Sequence, residues 1–226
     1  MELAKILEAA AGGVFPPADG STTVVPQPSE RDAGVLAFTA HTVIFLDDDP
    51  EWIHATIAGL DCDPLAATMN PVFLAILMAR SGRTTDTIDL LTVAPALPGP
   101  PPLPLTEQDQ DHPRVRRARS RRDDVRVWST PGGLLTIGRG VAGRHEVSIE
   151  VDGAAAERGL GRALALSARH LIPADAVLWS QQATGNARSI RAFQSAGYRP
   201  VGAELVLHPT EKSRAANGAE RPTPGR

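Results

Sequence analysis

Two stretches of the sequence decide the fold: HEVSIEVDGAAAERGLGRA at residues 145–163 and GNARSIRAFQSAGYRPVG at residues 185–202. The first predicts a strand, a glycine-containing turn and a helix, and the second predicts a helix followed by a strand. A further strand is expected between them, at residues 176–180. The order strand, turn, helix, strand, helix, strand indicates a mixed α/β fold.

The turn before the first helix has the composition of a phosphate-binding loop. Gly159 and Gly161 let the backbone come close to a ligand, and the first N–H groups of the helix have no partner within it. The helix dipole favours an anion at the same place, and Arg158 and Arg162 add positive charge. These features predict a pyrophosphate site, although a glycine before a helix also occurs in a plain turn.

Together the two stretches resemble the signatures of the GNAT superfamily of N-acetyltransferases. The turn at residues 156–161 is similar to the superfamily's (Gln/Arg)-x-x-Gly-x-(Gly/Ala) pyrophosphate loop. The second signature is matched by Asn186, Ser189, Phe193, Gly197 and Tyr198. The resemblance covers about residues 125–207, with both signatures in the expected order and spacing.

This resemblance implies a GNAT-type acyl-CoA N-acyltransferase fold, with a mostly antiparallel central sheet flanked by helices. In that fold the strand before the loop splays from its neighbour, and the pantetheine arm of acetyl-CoA lies in the gap. The implied function is transfer of an acetyl group from acetyl-CoA to an amine in a ternary complex, with no metal. The cofactor-binding residues that it implies are Ile149, Glu150, Val151, Glu157, Arg158, Gly159, Leu160, Gly161, Arg162, Ala163, Asn186, Ser189 and Phe193.

Two positions depart from the family pattern. Ala156 occupies the first position of the pyrophosphate motif, where Gln or Arg is usual, and Phe193 stands where many members have a general-acid tyrosine. Phenylalanine cannot give a proton to a leaving thiolate. Tyr198, the only tyrosine, is expected to pack in the core. These departures favour the alternative of a non-catalytic acyl-CoA-binding or regulatory protein with the same fold.

The strand at residues 145–151 offers three candidates for a catalytic base. Alternation predicts Glu146, Ser148 and Glu150 on one face and His145 on the other. His145 has the intrinsic pKa best suited to a base, and Glu150, which is deeper in the strand, is the preferred candidate. Each of the three could instead be a solvated side chain. For Glu204, inside the last strand, Arg199 or Arg191 is the expected partner.

Composition shifts together with the family resemblance predict four segments. They are an N-terminal α/β region at residues 1–97 that closes over the acceptor side, a Pro-rich linker at 98–111, the GNAT core at 112–208 and a disordered tail at 209–226. Residues 112–122 predict an arginine-rich helix. Acidic residues flank it, so a solvated, self-paired helix is expected, with phosphates of coenzyme A or nucleic acid as alternatives.

The bulk composition excludes several classes of protein. A net charge of -3 argues against a protein that binds nucleic acid through its whole surface. The sequence has no signal-like N-terminus and no apolar run of the roughly 18 residues that a membrane span needs. A single cysteine, Cys62, fits a reducing compartment. We therefore predict a cytoplasmic protein without nucleic-acid or membrane partners, whose acceptor is a small-molecule or peptide amine; a homodimer is compatible.

Overall fold

The computed structural model describes residues 2–153 and 159–210. Its α-helices are α1 (Leu3–Ala11), α2 (Pro50–Ala58), α3 (Pro71–Ser81), α4 (Pro113–Arg121), α5 (Leu160–Ala168) and α6 (Ala187–Ser195). Its strands are β1 (Thr22–Val25), β2 (Ala33–Phe38), β3 (His41–Phe45), β4 (Arg83–Thr84), β5 (Asp89–Pro95), β6 (Thr106–Glu107), β7 (Asp123–Thr130), β8 (Gly133–Arg139), β9 (His145–Val151), β10 (Val177–Ala183) and β11 (Arg199–Pro209).

The chain divides into two compact units. The first comprises Met1–Pro16 and Ile88–Glu204, and the second comprises Pro17–Thr87 and Leu205–Arg226. This division differs from the boundary predicted after residue 97, because β5 pairs with β10 and with the beginning of β11 inside the first unit. No strand was predicted for the residues that form β5, Asp89–Pro95.

The first unit contains a mixed sheet in the order β11-β5-β10-β9-β8-β7-β6. Within it, β9 and β10 are parallel, and the other neighbours are antiparallel. Gly132 and Gly143 adopt positive φ values of 77° in the turns that follow β7 and β8, a conformation that glycine adopts without strain. The mixed α/β class is therefore confirmed.

Helices cover both faces of this sheet. On one face α5 and α6 pack against a core that includes Leu135, Val147, Leu164 and Phe193. On the other face α4 packs through Val115, which joins Val127 and Leu134 in a smaller cluster. The alternation of buried residues along β7, β8 and β9 thus separates an apolar face from the face that α4 covers.

The second unit has its own small sheet. In it β1 is parallel to β3, β2 is antiparallel to β3, and the end of β11 pairs with β4. Asp49 and Asn70 cap α2 and α3, and Gly82 ends α3 in the left-handed conformation. None of the helices in the described residues is long and apolar enough to cross a membrane.

Candidate functional site

The candidate site is a gap between β9 and β10. The two strands pair in register only at His145 with Leu178 and at Glu146 with Trp179. On its other side β9 pairs with β8 along its whole length. The pairing begins with His145 opposite Arg139 and ends with Val151 opposite Gly133. Within residues 2–153 and 159–210, no register joins β9 to β10 beyond Glu146 and Trp179. We call this opening the β9–β10 gap.

The gap leaves backbone groups of β9 available to a ligand. In a strand, every second residue directs its N–H and C=O toward the same neighbouring strand. About half of the backbone groups of residues 147–151 therefore face β10, with which these residues do not pair. Both strands run in the same direction, and the gap therefore opens toward their C-terminal ends, where α5 follows β9. This divergence agrees with the splayed strands that the sequence resemblance implies.

Among the described residues, none covers the N-terminus of α5. Gly159 precedes the helix in the left-handed conformation, with φ 75°, and a Cβ added there would meet no atom of the described part of the chain within 4 Å. No side chain of the described residues caps this end. Gly161, in the first turn, is close to the gap: a Cβ there would lie 3.8 Å from Val151 Cγ2 and 3.9 Å from Ile149 Cδ1. Uncapped N–H groups therefore lie next to the side of β9 that carries Ile149 and Val151.

The other predicted cofactor residues divide into three groups. The backbones of Leu160, Arg162 and Ala163 belong to the first turn of α5, but the Arg162 side chain donates through Nε to Ser195 O at 3.2 Å. The side chain of Asn186 caps α6, because its Oδ1 accepts from the Ser189 N–H at 3.0 Å. Ala156, Glu157 and Arg158 lie outside the described residues.

Phe193 and Tyr198 are core residues. Their rings meet edge to face with centroids 4.9 Å apart, and both side chains are buried. The Tyr198 hydroxyl donates to Ala165 O at 3.1 Å, and burial raises the pKa of Tyr198. The packing interpretation of Tyr198 is confirmed. Direct contact of the Phe193 ring with a ligand in the gap is not supported by its burial.

We expect Tyr198→Phe to lower the free energy of unfolding by about 1 kcal/mol and to leave cofactor affinity unchanged. The substitution leaves the Ala165 carbonyl without its hydroxyl donor, while the ring contact with Phe193 is kept. Urea denaturation and a titration with acetyl-CoA measure the two quantities. A large loss of affinity at unchanged stability would instead make the hydroxyl part of the site.

The carboxylates of β9 share one face of the strand, as alternation predicted, and arginines at the α4 side bind them. Glu150 Oε2 accepts from Arg114 Nε at 2.7 Å, and both side chains are partly exposed. Glu146 Oε2 accepts from Arg122 Nε at 2.9 Å, and Arg122 also donates to Ser148 Oγ at 3.1 Å. The expectation of a self-paired helix is therefore wrong for Arg114 and Arg122, which bind the strand.

The same expectation is correct for the outer surface of α4. Arg119 pairs with Asp109 at 2.7 Å, and Arg116 pairs with Asp111. The two groups of arginines differ because the helix presents one side to β9 and the other to the acidic segment that precedes it. The arginine-rich sequence alone did not distinguish these sides.

A buried ionic cluster lies beside the paired ends of β9 and β10. Arg144 Nε donates to Glu146 Oε1 at 2.8 Å, and its Nη2 donates to Glu204 Oε2 at 2.6 Å. Gln181 Nε2 donates to the same Glu204 oxygen at 3.2 Å. We call these residues, together with Arg122, the Arg144 cluster. The expected partners of Glu204, Arg199 and Arg191, were wrong, because the fold brings in a residue 60 positions away instead.

The electrostatics of this cluster favour the ionised forms of Glu146 and Arg144. Burial raises the pKa of Glu146, but the charges of Arg144 and Arg122 outweigh it and lower that pKa overall. Burial lowers the pKa of Arg144, yet Glu204 and Glu146 raise it overall. Glu146 is therefore an ionised structural carboxylate whose environment makes it a poor proton acceptor near neutral pH.

Gly140 allows the turn before β9 to fold around Glu146. A Cβ at Gly140 would overlap the Glu146 carboxylate. The Gly140 N–H donates to Arg144 O at 2.9 Å, and the Val141 N–H donates to Glu146 Oε1 at 3.2 Å. The glycine is thus required by the close approach of a buried side chain.

His145 is the titratable residue at the paired end of the gap outside the Arg144 cluster. It is the first residue of β9 and pairs with Leu178. Burial and then the charge of Arg139 lower the pKa of His145 below its ordinary value of 6.5. Its imidazole is therefore neutral at neutral pH and has a nitrogen that can accept a proton. Among the described residues, no group of His, Cys, Asp and Glu side chains could hold a metal ion.

Comparisons with known proteins give weak structural likenesses, among them two to GCN5-related N-acetyltransferases. No family model matches the chain, and no curated protein sequence matches it. It is similar to a GCN5-related N-acetyltransferase from Kribbella flavida, with 16% identity, a TM-score of 0.39, and coverage of 65% of this chain and 67% of that one. It is also similar to a GCN5-related N-acetyltransferase from Sphaerobacter thermophilus, with 15% identity and a TM-score of 0.37. That match covers 60% of this chain and 55% of the Sphaerobacter thermophilus protein. At these TM-scores the functional conclusion rests on the geometry of the β9–β10 gap.

Proposed function

We propose that this chain is a GNAT-type N-acyltransferase that moves an acetyl group from acetyl-CoA to an amine. The observation that supports this most strongly is the β9–β10 gap, which opens toward the uncapped N-terminus of α5. Free backbone groups beside such a helix end fit a ligand that consists of an amide-containing arm and a pyrophosphate. Acetyl-CoA combines these parts and supplies an acyl group activated as a thioester.

The residues that would hold the ligand follow from this geometry. The backbone of Ile149–Val151 would pair with the amide-containing arm, as a further strand does in a sheet. The N–H groups of the first turn of α5 would bind the pyrophosphate, and the open space at Gly159 admits it. A donor from the β9 backbone would also polarise the thioester carbonyl.

The direction of the gap favours His145 as the base. An arm that begins at α5 and follows β9 ends toward Glu146, where the strands pair. Glu150 lies four residues from Glu146, which is about 13 Å along a strand, and it is next to the α5 end. His145 is adjacent to Glu146 and has a neutral imidazole. We therefore propose His145 as the base in preference to Glu150, the candidate that the sequence favoured.

The transfer then needs few groups from the protein. The lone pair of a neutral amine attacks the thioester carbonyl carbon, a C–N bond forms, and the C–S bond breaks. An imidazole nitrogen of His145 takes the proton that the amine loses. The thiolate leaves and takes a proton from solvent, because Phe193 has no proton to give and the Tyr198 hydroxyl is buried on Ala165 O.

We expect His145→Gln to lower kcat about 100-fold, the scale of one general base. In the unmodified protein, activity should fall as pH falls through a value below 6.5, because the protonated imidazole cannot accept a proton. A pH–rate profile with an acceptor found by thiol release measures both. Glu150→Gln is the matched control on the same strand. If it removes the acidic limb and His145→Gln does not, then Glu150 is the base.

Calorimetric titration with acetyl-CoA, with coenzyme A and acetate as controls, tests the proposed function. Micromolar binding of both coenzyme A forms and none of acetate is expected. No binding would overturn the proposal. Binding without thiol release, across a panel of primary amines and amine-bearing peptides, would favour the non-catalytic acyl-CoA-binding protein instead.

A further inference from the structure

Arg144 connects the three strands around the paired end of the β9–β10 gap. Its guanidinium bonds Glu146 on β9 at 2.8 Å and Glu204 on β11 at 2.6 Å. The same group lies over the ring of Trp179 on β10, 5.1 Å from its centroid. Glu146 and Trp179 are the last residues that pair before the strands diverge. A single side chain thus contacts each of these strands at the point where the gap begins.

The composition of the cluster is unusual for a purely stabilising contact. The side chains of Arg144, Glu146 and Glu204 are at most 5% exposed. Within the described part of the chain, Arg144 Nη1 and Glu204 Oε1 are buried without a hydrogen-bond partner. Buried ion pairs are often no more stabilising than apolar side chains of the same volume, and unpaired buried atoms add a further cost. What the cluster provides is a fixed geometry, because the planar guanidinium determines the directions of two carboxylates at once.

We propose that Arg144 is a positioning residue that fixes where β9 and β10 stop pairing, and thereby shapes the gap for its ligand. Only the link to the ligand rests on the proposed function. Lysine at this position would keep the positive charge between the two carboxylates. It has a single nitrogen and no planar face, so it could not hold Glu146, Glu204 and Trp179 in the same arrangement.

Arg122 provides a matched control. It is also an arginine that binds Glu146, and its side chain is 10% exposed. Its other bond is to Ser148, which lies on β9 as well, so both of these bonds end on the same strand. Arg122→Lys and Arg144→Lys therefore make the same chemical change on the same carboxylate, and they differ in whether the bridge between strands is lost.

The experiment measures hydrogen exchange without ligand and then affinity for acetyl-CoA. Arg144→Lys is expected to speed exchange about tenfold in peptides that cover β9 and β10, since the amides at the pairing point open more often. Exchange in β7 and β8 should stay as in the unmodified protein. The Kd for acetyl-CoA should rise about tenfold, the cost of ordering a site that is no longer preformed. Arg122→Lys should change neither quantity by more than about twofold.

Each result has a defined meaning. Unchanged exchange in β9 and β10 of Arg144→Lys overturns the positioning role. Faster exchange with unchanged affinity overturns its link to the ligand. If the unmodified protein does not bind acetyl-CoA but exchange still rises, the proposed function fails and the effect of Arg144 on the strands stands. If Arg144→Lys does not fold, Glu204→Gln replaces it, because that change keeps the side-chain shape and weakens the bonds that Arg144 and Gln181 make to β11.

Discussion

Gly161→Glu is expected to weaken acetyl-CoA binding about 1,000-fold while the protein becomes slightly more stable. The new carboxylate would lie in the first turn of α5, against the proposed pyrophosphate. Two like charges about 4 Å apart repel by about 4 kcal/mol at the effective dielectric of a protein surface. That energy corresponds to about three powers of ten in Kd.

The free energy of unfolding should rise in Gly161→Glu, although the affinity for acetyl-CoA falls. A Cβ at Gly161 meets its nearest neighbours at 3.8 Å, which is ordinary contact, so the side chain can begin without displacing Val151 or Ala192. Replacing glycine inside a helix stabilises it by up to about 1 kcal/mol, and an acidic residue in the first turn adds about 0.3–1 kcal/mol. Thermal unfolding and calorimetry of the same sample therefore separate a local electrostatic effect from damage to the fold.

Ala174→Glu is the control for this experiment. Ala174 is exposed in the turn after α5, so the variant adds the same charge beyond the other end of the helix. It should bind acetyl-CoA with nearly unchanged affinity. Equal weakening by both variants would point to net charge rather than to the helix N-terminus. Unchanged binding by Gly161→Glu would exclude α5 as the pyrophosphate site.

Local sequence was sufficient to predict the elements around this site. The glycine before α5 and the alternation of Glu146, Ser148 and Glu150 each depend on neighbours within a few residues, and the structure agrees with both. Such features are determined by backbone conformation and side-chain period. The parallel neighbour of β9 could also be expected, from the order of elements around α5. The cap that Asn186 provides for α6 was not predicted.

Long-range contacts were beyond this kind of prediction. The strand between β10 and β11 is β5, which comes from a part of the sequence before the Pro-rich segment. Glu204 is paired with Arg144 and not with an arginine near it in the sequence. The sequence indicated that a buried carboxylate needs a partner, but only the sheet order determines which arginine reaches it. The proposed choice of His145 over Glu150 depends on the same information, because the direction of the gap is a property of the sheet.

Glu146→Gln should lower the free energy of unfolding by about 3–5 kcal/mol, whereas Glu150→Gln should lower it by less than about 1 kcal/mol. The two glutamates lie on the same face of β9, and each binds an arginine at the α4 side. They differ in burial: the Glu146 side chain is 5% exposed and the Glu150 side chain 40%. Glutamine at position 146 leaves two buried guanidinium groups facing a neutral amide. Arg114, being partly exposed, is solvated by water instead.

The dependence of stability on pH provides an independent check on the same carboxylate. Because the folded protein holds the pKa of Glu146 below its ordinary 4.5, Glu146 contributes stability above that pH, and the contribution is lost as pH falls further. Urea denaturation between about pH 3 and pH 7 should therefore show a steeper acid loss in the unmodified protein than in Glu146→Gln. Identical slopes would mean that Glu146 takes up a proton as easily folded as unfolded, which is incompatible with a carboxylate fixed between Arg144 and Arg122. The same lowered pKa makes Glu146 a poor proton acceptor, which supports the proposal that the neighbouring His145 is the base.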